Sequence, residues 1–426
     1  MGSLLIKNGR VIDPANKVDE IRDVLVIDGK IADSKKQKAP SKIETFDATG
    51  RVVCPGLIDI HVHLREPGGS AKETIESGTR AAAKGGFTTV VCMPNTSPAV
   101  DNAGSVEYIK ARAREKGIVQ VLPTGAMTVG LQGEQMAEIG SLKNAGVVAL
   151  TDDGHCIQNN EIMRRVIEYA KMFNLPIMDH CQDYALTSEG VVNEGHWSMV
   201  LGLGGWPSIA EEIIVSRNCL LAELAQWKVH MQHLSAAGSV RILREARQRG
   251  VPVSGEVCPH HIALTDEALK NYDTNFKMNP PLRTQRDVDA LLQGIADGVI
   301  EILASDHAPH SSFEKEVEFD YAPFGILGLE TELGLFLTEL VHKKVISLSR
   351  MIEMFTVNPA KLLNLDRGTL SVGKPADITI FDPDKEWIVD KEDSESLSRN
   401  TPFHGWKLKG KAVATIVSGK KVWPDL

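Results

Sequence analysis

The chain has 426 residues, 42% apolar and 24% charged, with a formal net charge of −9. That length predicts two or three domains, or one large barrel with an accessory domain, and the composition is that of an ordinary globular chain. The acidic balance without any long Lys/Arg cluster argues against a nucleic-acid surface, and no run approaches the roughly 18 apolar residues that a membrane helix needs.

The opening stretch MGSLLIKNGRVID soon turns polar and lacks the basic-then-apolar layout of a secretory leader. LLIKNGRVID and DVLVIDGKI predict β-hairpins with Asn-Gly and Asp-Gly turns. From about residue 52 to residue 310, eight β-branched runs alternate with helical patterns: GLIDIHVH, FTTVVCMPN, IVQVLPTGA, VVALTDD, PIMDHCQD, KVHMQHLS, VPVSGEVCPHH and EILASDHAPH. Strands that alternate with helices become parallel neighbours, and eight of them predict a closed (β/α)8 barrel. After Leu365 the chain is again β with turn residues, in GTLSVGKPADITIFD and KAVATIVSGKKVW. The two β-rich ends predict a small β-sandwich domain from residues 1–54 and 366–426 flanking a barrel at 55–365, since chain termini often lie close together. DKEDSESLSRN, at 390–400, reads as a solvated loop. Cys54, Cys92, Cys156, Cys181, Cys219 and Cys258 form no CxxC pair. They suggest neither a zinc ribbon nor a disulfide framework, and so a reducing, cytoplasmic location.

Catalytic groups of such a barrel gather at the C-terminal ends of its strands. There the sequence places His61 and His63, Asp152 and Asp153, His180 beside Cys181, His230 and His233, and Asp306. Side chains alternate faces along a strand, so His61 and His63 point the same way and can share one cation. Imidazoles with carboxylates suit zinc or a similar divalent metal. His230 and His233 lie on opposite faces, and the pairs Asp152/Asp153 and Asp306/His307 likewise compete; spacing alone does not choose within them. Taken singly, each residue has a structural reading. A histidine can be a hydrogen-bonded core residue, Asp-Asp a helix cap, Cys181 a small hydrophobe, and Arg65 the partner of Glu66 or Glu73 in a surface ion pair. His260 and His261 read as packing residues. The coincidence of metal-type residues in one layer favours a cation, because burying so many polar groups unsatisfied is costly.

With these motifs in hand, the chain resembles the amidohydrolase superfamily and, within it, the bacterial-type dihydroorotases. DIHVHLREPG and ASDHAPHSSFEK resemble that family's two signatures, and CMPNT, DHCQD, EVCPHH, MNPPLR, APFGILGLET and NTPFHG match in order. The resemblance implies a barrel with a β-sandwich and reversible, metal-dependent hydrolysis of dihydroorotate to N-carbamoyl-aspartate in pyrimidine synthesis. It selects Asp153, His233 and Asp306 from the competing pairs. It makes His61 and His63 ligands of one Zn2+ and His180 and His233 ligands of a second. Asp153 stands where many superfamily members carry a bridging carboxylated lysine, and Asp306 touches the metal and shuttles the proton. Arg65, Asn95, Asn279 and His310 are the implied substrate-binding residues.

Gln182 departs from the acidic residue usual in the family, which leaves one or two bound metals open. The segment GHCIQNN, at 154–160, reads as a mobile lid over the mouth. Two other readings compete: a hydantoinase or allantoinase, which normally shows the bridging lysine, and a non-catalytic relative serving as a scaffold, which normally loses ligands. The resemblance also suggests a homo-oligomer and a complex with aspartate transcarbamoylase.

Overall fold

The computed structural model describes residues 2–33, 36–37, 40 and 42–424. Five strands open the chain: β1 (Leu4–Asp13), β2 (Val18–Ile27), β3 (Lys30–Ala32), β4 (Glu44–Asp47) and β5 (Val52–Pro55). Asp28 and Gly29, both with positive φ, make the expected tight turn between β2 and β3. Asn8-Gly9 does not turn the chain. β1 continues through it as a bulge, with Asn8 at φ 60° and the register with β2 shifting between Ile6 and Gly9. A left-handed Asn inserts one extra residue without ending the ladder, so the expected hairpin there is corrected to a bulge. Gly9 has no room for a side chain, since a Cβ would stand 2.5 Å from Val53 on β5.

The middle of the chain builds parallel strands. β6 (Leu57–Val62), β7 (Phe87–Cys92) and β8 (Gln120–Pro123) form one sheet. β9 (Ile177–Asp179) comes next, then a separate two-residue pair, β10 (Val192–Asn193) and β11 (Gly205–Trp206). β12 (Val229–Met231), β13 (Val253–Val257) and β14 (Ile302–Leu303) join β9 in a second sheet, in the order β14-β13-β12-β9. Isolated parallel bridges connect the two sheets: Gly125 to Leu150 and Leu150 to Ile177 on one side, Val62 to His307 on the other. The expected fourth strand, VVALTDD, is thus reduced to one bridging residue. Its Asp152 carboxylate takes the amides of Met127 (2.6 Å) and Thr128 (3.1 Å), bonds a ladder would otherwise use, and Gly154 at φ 72° then turns the chain away.

Ile58, Ile60, Val91, Ala149, Met178, Ile302 and Ala304 come from strands far apart in sequence and pack into one apolar cluster. A larger cluster joins the strands to the helices around them, with Phe87, Phe336 and Phe355 fully buried in it. The helix Ile75–Gly85 leads into β7. Its N-terminus is closed by a Thr74/Ser77 capping box and its C-terminus by Gly86 in the left-handed region.

β15 (Ile378–Ile388), β16 (Lys407–Val417) and β17 (Lys420–Trp423) return to the N-terminal strands in one sheet of order β17-β16-β15-β5-β1-β2-β3, with β4 against β1. Segment 390–400 is less solvated than its composition suggests. Ser396, Ser398 and Asn400 are buried, and the Ser398 hydroxyl donates to Lys72 O at 2.7 Å. The polar residues of this stretch serve as hydrogen-bonding pegs, which corrects the reading as a solvated loop. We predict that Phe87→Ala, which removes the ring meeting Phe355 edge-on at 5.7 Å, lowers unfolding free energy by about 3–5 kcal/mol in urea titration. Ile21→Ala at an exposed site should change it by less than about 0.5 kcal/mol.

Candidate metal and substrate site

The end of β6 supplies His61 and His63, with ring centroids 5.6 Å apart. His61 is fully buried and its Nδ1 is 2.6 Å from Glu256 Oε1 on β13. Its Nε2 faces Asp153 Oδ1 at 3.2 Å and Asp306 Oδ1 at 3.5 Å without making a hydrogen bond. His63 Nε2 is 3.0 Å from Asp306 Oδ1 and 3.4 Å from Asp153 Oδ2, while its Nδ1 meets Asn95 Oδ1 at 2.9 Å. His180 follows β9 and His233 follows β12, and they approach at 2.8 Å, Nδ1 to Nε2. Both stand 3.8 Å from Asp153 Oδ1.

Of the four sets of donor atoms among the described residues that lie within 4.8 Å of one another, three are in this cluster: His61, His63 and Asp153; Asp153, His180 and His233; and His61, His233 and Asp306. Asp153 belongs to two of them. His61 Nε2 and His233 Nδ1 are buried without a hydrogen-bond partner among the described residues. His61 Nε2, left unsatisfied by protein between two carboxylates, fits a divalent cation and is costly otherwise. The residues present therefore suit a metal.

Electrostatics agree. Burial alone would push Asp153 up, but His61, His233 and His63 outweigh it and hold the carboxylate well below its ordinary range. Asp306 is likewise held down against burial by His61, His63 and His233. Burial and the neighbouring His233 lower His180 to about 4, so it is a neutral imidazole able to ligate at pH 7.

The competing candidates are placed elsewhere. His230 is engaged by Ser254 Oγ and Glu256 Oε2, Asp152 by the amides already described, and His307 by Glu73. Cys181 turns its thiol to Asp179 O and the Asn218 amide. Gln182 accepts at 2.9 Å from His180 Nε2 and so orients that ring. Glu256, absent from the sequence candidates, fixes both His61 and His230. Residues 254 and 256 share a face of β13, and that parity was the signal available for it.

A cavity of about 720 Å3 opens over this cluster, lined by His63, Asn95, Asp153, His180, His233 and Asp306 and by Arg65, Asn279, His310, Met278 and Pro323–Gly325. Arg65 makes no ion pair with Glu66 or Glu73. Its Nε donates to Pro309 O at 3.1 Å, and its Nη2 to His310 Nε2 at 3.2 Å. Burial, followed by the Arg65 charge, lowers His310 to about 2, so it is a neutral acceptor beside the guanidinium. Asn95 donates to Asp153, and Asn279 to Gln182 Oε1 at 3.3 Å.

Segment 154–160 is pinned rather than free, which corrects the lid reading. Tyr184 Oη donates to Gly154 O, Arg217 holds Ile157 O, Gln158 donates to Gln182 O, and Cys156 and Ile157 are buried.

Residues 50–239 match the model of a family described as Dihydro-orotase-like, and residues 218–422 that of the Amidohydrolase family. The dihydroorotases of Endomicrobium trichonymphae and Pelotomaculum thermopropionicum are each 52% identical, over 421 and 423 residues, covering 99% of both chains. The chain belongs to the dihydroorotase family. Among solved structures, the L-hydantoinase of Arthrobacter aurescens superposes with a TM-score of 0.88 at 27% identity, covering 99% of this chain and 96% of that one. The dihydropyrimidinase of Brevibacillus agri gives 0.85 at 26%, covering 99% and 95%. This dihydroorotase-family chain thus shares its architecture with cyclic-amide hydrolases, while its sequence groups it with the dihydroorotases.

His310 and His261, the latter lowered to about 3 mainly by burial, are neutral when folded and titrate near 6.5 when unfolded. Between those values the unfolded chain binds more protons, so these groups lower stability as pH falls from about 6.5 towards 4. We predict that His310→Gln flattens part of this acid slope, measured by thermal unfolding across that range.

Proposed function

We propose that this protein is a dihydroorotase. It interconverts dihydroorotate and N-carbamoyl-aspartate by reversible hydrolysis of a cyclic amide, in the synthesis of pyrimidines. The observation that carries the reading is the convergence of His61, His63, Asp153, His180, His233 and Asp306 beneath a cavity whose lining includes half-buried Arg65. A catalytic domain at 55–365, read as a (β/α)8 barrel, would carry this site, supported by the parallel sheets and their bridging residues. The sheet from 1–54 and 366–426 would be the small β-sandwich domain. No described helix is long and apolar enough to cross a membrane; a cytoplasmic location, a homo-oligomer and a complex with aspartate transcarbamoylase remain parts of the proposal carried by the family alone.

His61, His63 and Asp306 would hold one Zn2+, and His180 and His233 a second, with Asp153 between them. A bound Zn2+ supplies Lewis acidity, making a nucleophile available at neutral pH and polarising the amide carbonyl. The side chains do the rest. Arg65 offers a planar fork of donors to the substrate carboxylate. Neutral His310 and the amides of Asn95 and Asn279 complete that end of the cavity, fixing the ring carbonyl towards the acids and imidazoles. Asp306, held ionised by three imidazoles, takes the proton of the attacking water and passes it to the departing ring nitrogen, so one carboxylate is base and then acid. In ring closure it acts in the reverse order.

Three outcomes test this. Asp306→Ala should lower kcat by about 10²–10⁴-fold with the fold intact by circular dichroism; full turnover would overturn the proton role. Arg65→Ala should raise KM for dihydroorotate far more than it lowers kcat, and an unchanged KM would place the clamp elsewhere. Removing metal with a chelator should abolish turnover and Zn2+ should restore it, followed spectrophotometrically with dihydroorotate, hydantoin and allantoin in parallel; preference for hydantoin or allantoin would favour a related cyclic amidase.

A further inference from the structure

Lys277 and Lys315 bury their side chains, 2% and 4% exposed, and no carboxylate lies within 4.0 Å of either ammonium among the described residues. Lys277 Nζ donates to Phe319 O (2.7 Å) and Asp320 O (3.0 Å) and sits 4.7 Å above the Phe324 ring. Lys315 Nζ donates to Pro323 O (2.9 Å) and Gly325 O (3.1 Å). Together they fasten the segment whose Pro323, Phe324 and Gly325 wall the catalytic cavity. Burial pulls Lys277 to about 8 and, with Lys277 as neighbour, Lys315 to about 7. Carbonyl dipoles offset only part of the cost of two buried positive charges that lack a counter-charge.

Lys315 also borders a second, partly open cavity lined mainly by polar atoms. Lys315, Lys391, Arg399, Ser312 and Asn400 border it, with exposed Glu316 the one acid on its wall. Lys391 makes no ion pair among the described residues. Arg399 uses Nη1 on the carbonyls of Ser396 and Ser398 and has Glu392 only at 3.7 Å. The Lys391 and Arg399 side chains and the Ser312 hydroxyl border one small space beside buried Lys315, and form a cradle for a compact polyanion.

We propose that this cavity binds a small oxyanion of the phosphate type, held by Lys391, Arg399 and Ser312 as the counter-charge to the Lys277–Lys315 pair, and that its occupancy is transmitted to the catalytic cavity through Asn400. The buried Asn400 amide borders this cavity and bonds to three residues that wall the catalytic one: Oδ1 accepts from His310 N at 3.0 Å, and Nδ2 donates to Ala308 O (2.9 Å) and Gly325 O (3.0 Å). An anion drawing on Lys315, which shares Gly325 O with Asn400, therefore acts on the peg that positions His310 and the cavity wall.

Calorimetric titration of the full metal-loaded chain with inorganic phosphate, and separately with glycerol phosphate, tests this; the tighter ligand shows whether a free ion or an ester is preferred. Lys391→Met and Arg399→Gln should each weaken binding by about tenfold or more, while Arg65→Gln should leave it unchanged. Phosphate should shift KM for dihydroorotate at least about twofold in the parent and not in Lys391→Met, whose kinetics without phosphate should match the parent. No binding at tens of millimolar, or binding lost with Arg65→Gln and untouched by Lys391→Met, would overturn the site. Binding at Lys391 with no change in KM would overturn the coupling.

Discussion

The Asp153 carboxylate is the constraint on which the site depends. One buried acid lies within reach of four imidazoles delivered by three separate strand ends, and three of those rings are held from behind by another group: His61 by Glu256, His63 by Asn95, His180 by Gln182. Like-charge repulsion and desolvation would break such a cluster in an apolar interior unless the charges alternate and a cation completes them. The alternation is visible here, with the carboxylates kept ionised by the imidazoles against burial and His180 kept neutral by burial itself. The fold supplies rigid anchors for it, since the four histidines sit at or just past the ends of short strands and Asp153 follows the bridging residue Leu150, beside side chains locked in apolar clusters.

A gradient of polarity runs outward from this point. The floor is acid and imidazole, the middle is amide, and the rim is one guanidinium facing a neutral histidine. That order matches a substrate with a reacting amide at one end and a carboxylate at the other. The scaffold is shared with the hydantoinases on which the chain superposes, so this order of groups is a set of side-chain choices laid on it.

Much of this was legible in the sequence because strand parity is a strict rule. His61 and His63 two apart had to share a face, and the period of apolar runs located seven of the eight strands. Where spacing left two choices, as with His230 or His233 and Asp152 or Asp153, the answer lay in partners remote in sequence: Ser254 and Glu256 claim His230, and the Met127 and Thr128 amides claim Asp152. The misreadings share one cause. Asn8-Gly9, the 154–160 segment and the serine-rich 390–400 segment were judged by composition, which reports turn-forming and polar residues but not the buried carbonyls, carboxylates and guanidinium groups that those residues meet after folding.

Asn400 sits near the C-terminal end of the chain yet fixes His310 and Gly325 at the mouth of the catalytic cavity. During synthesis the acids and imidazoles of the floor are all translated long before that peg emerges. The cradle for metal and the wall for the organic substrate are therefore set by separate stretches of the chain, the first complete by residue 306 and the second closed only by residue 400.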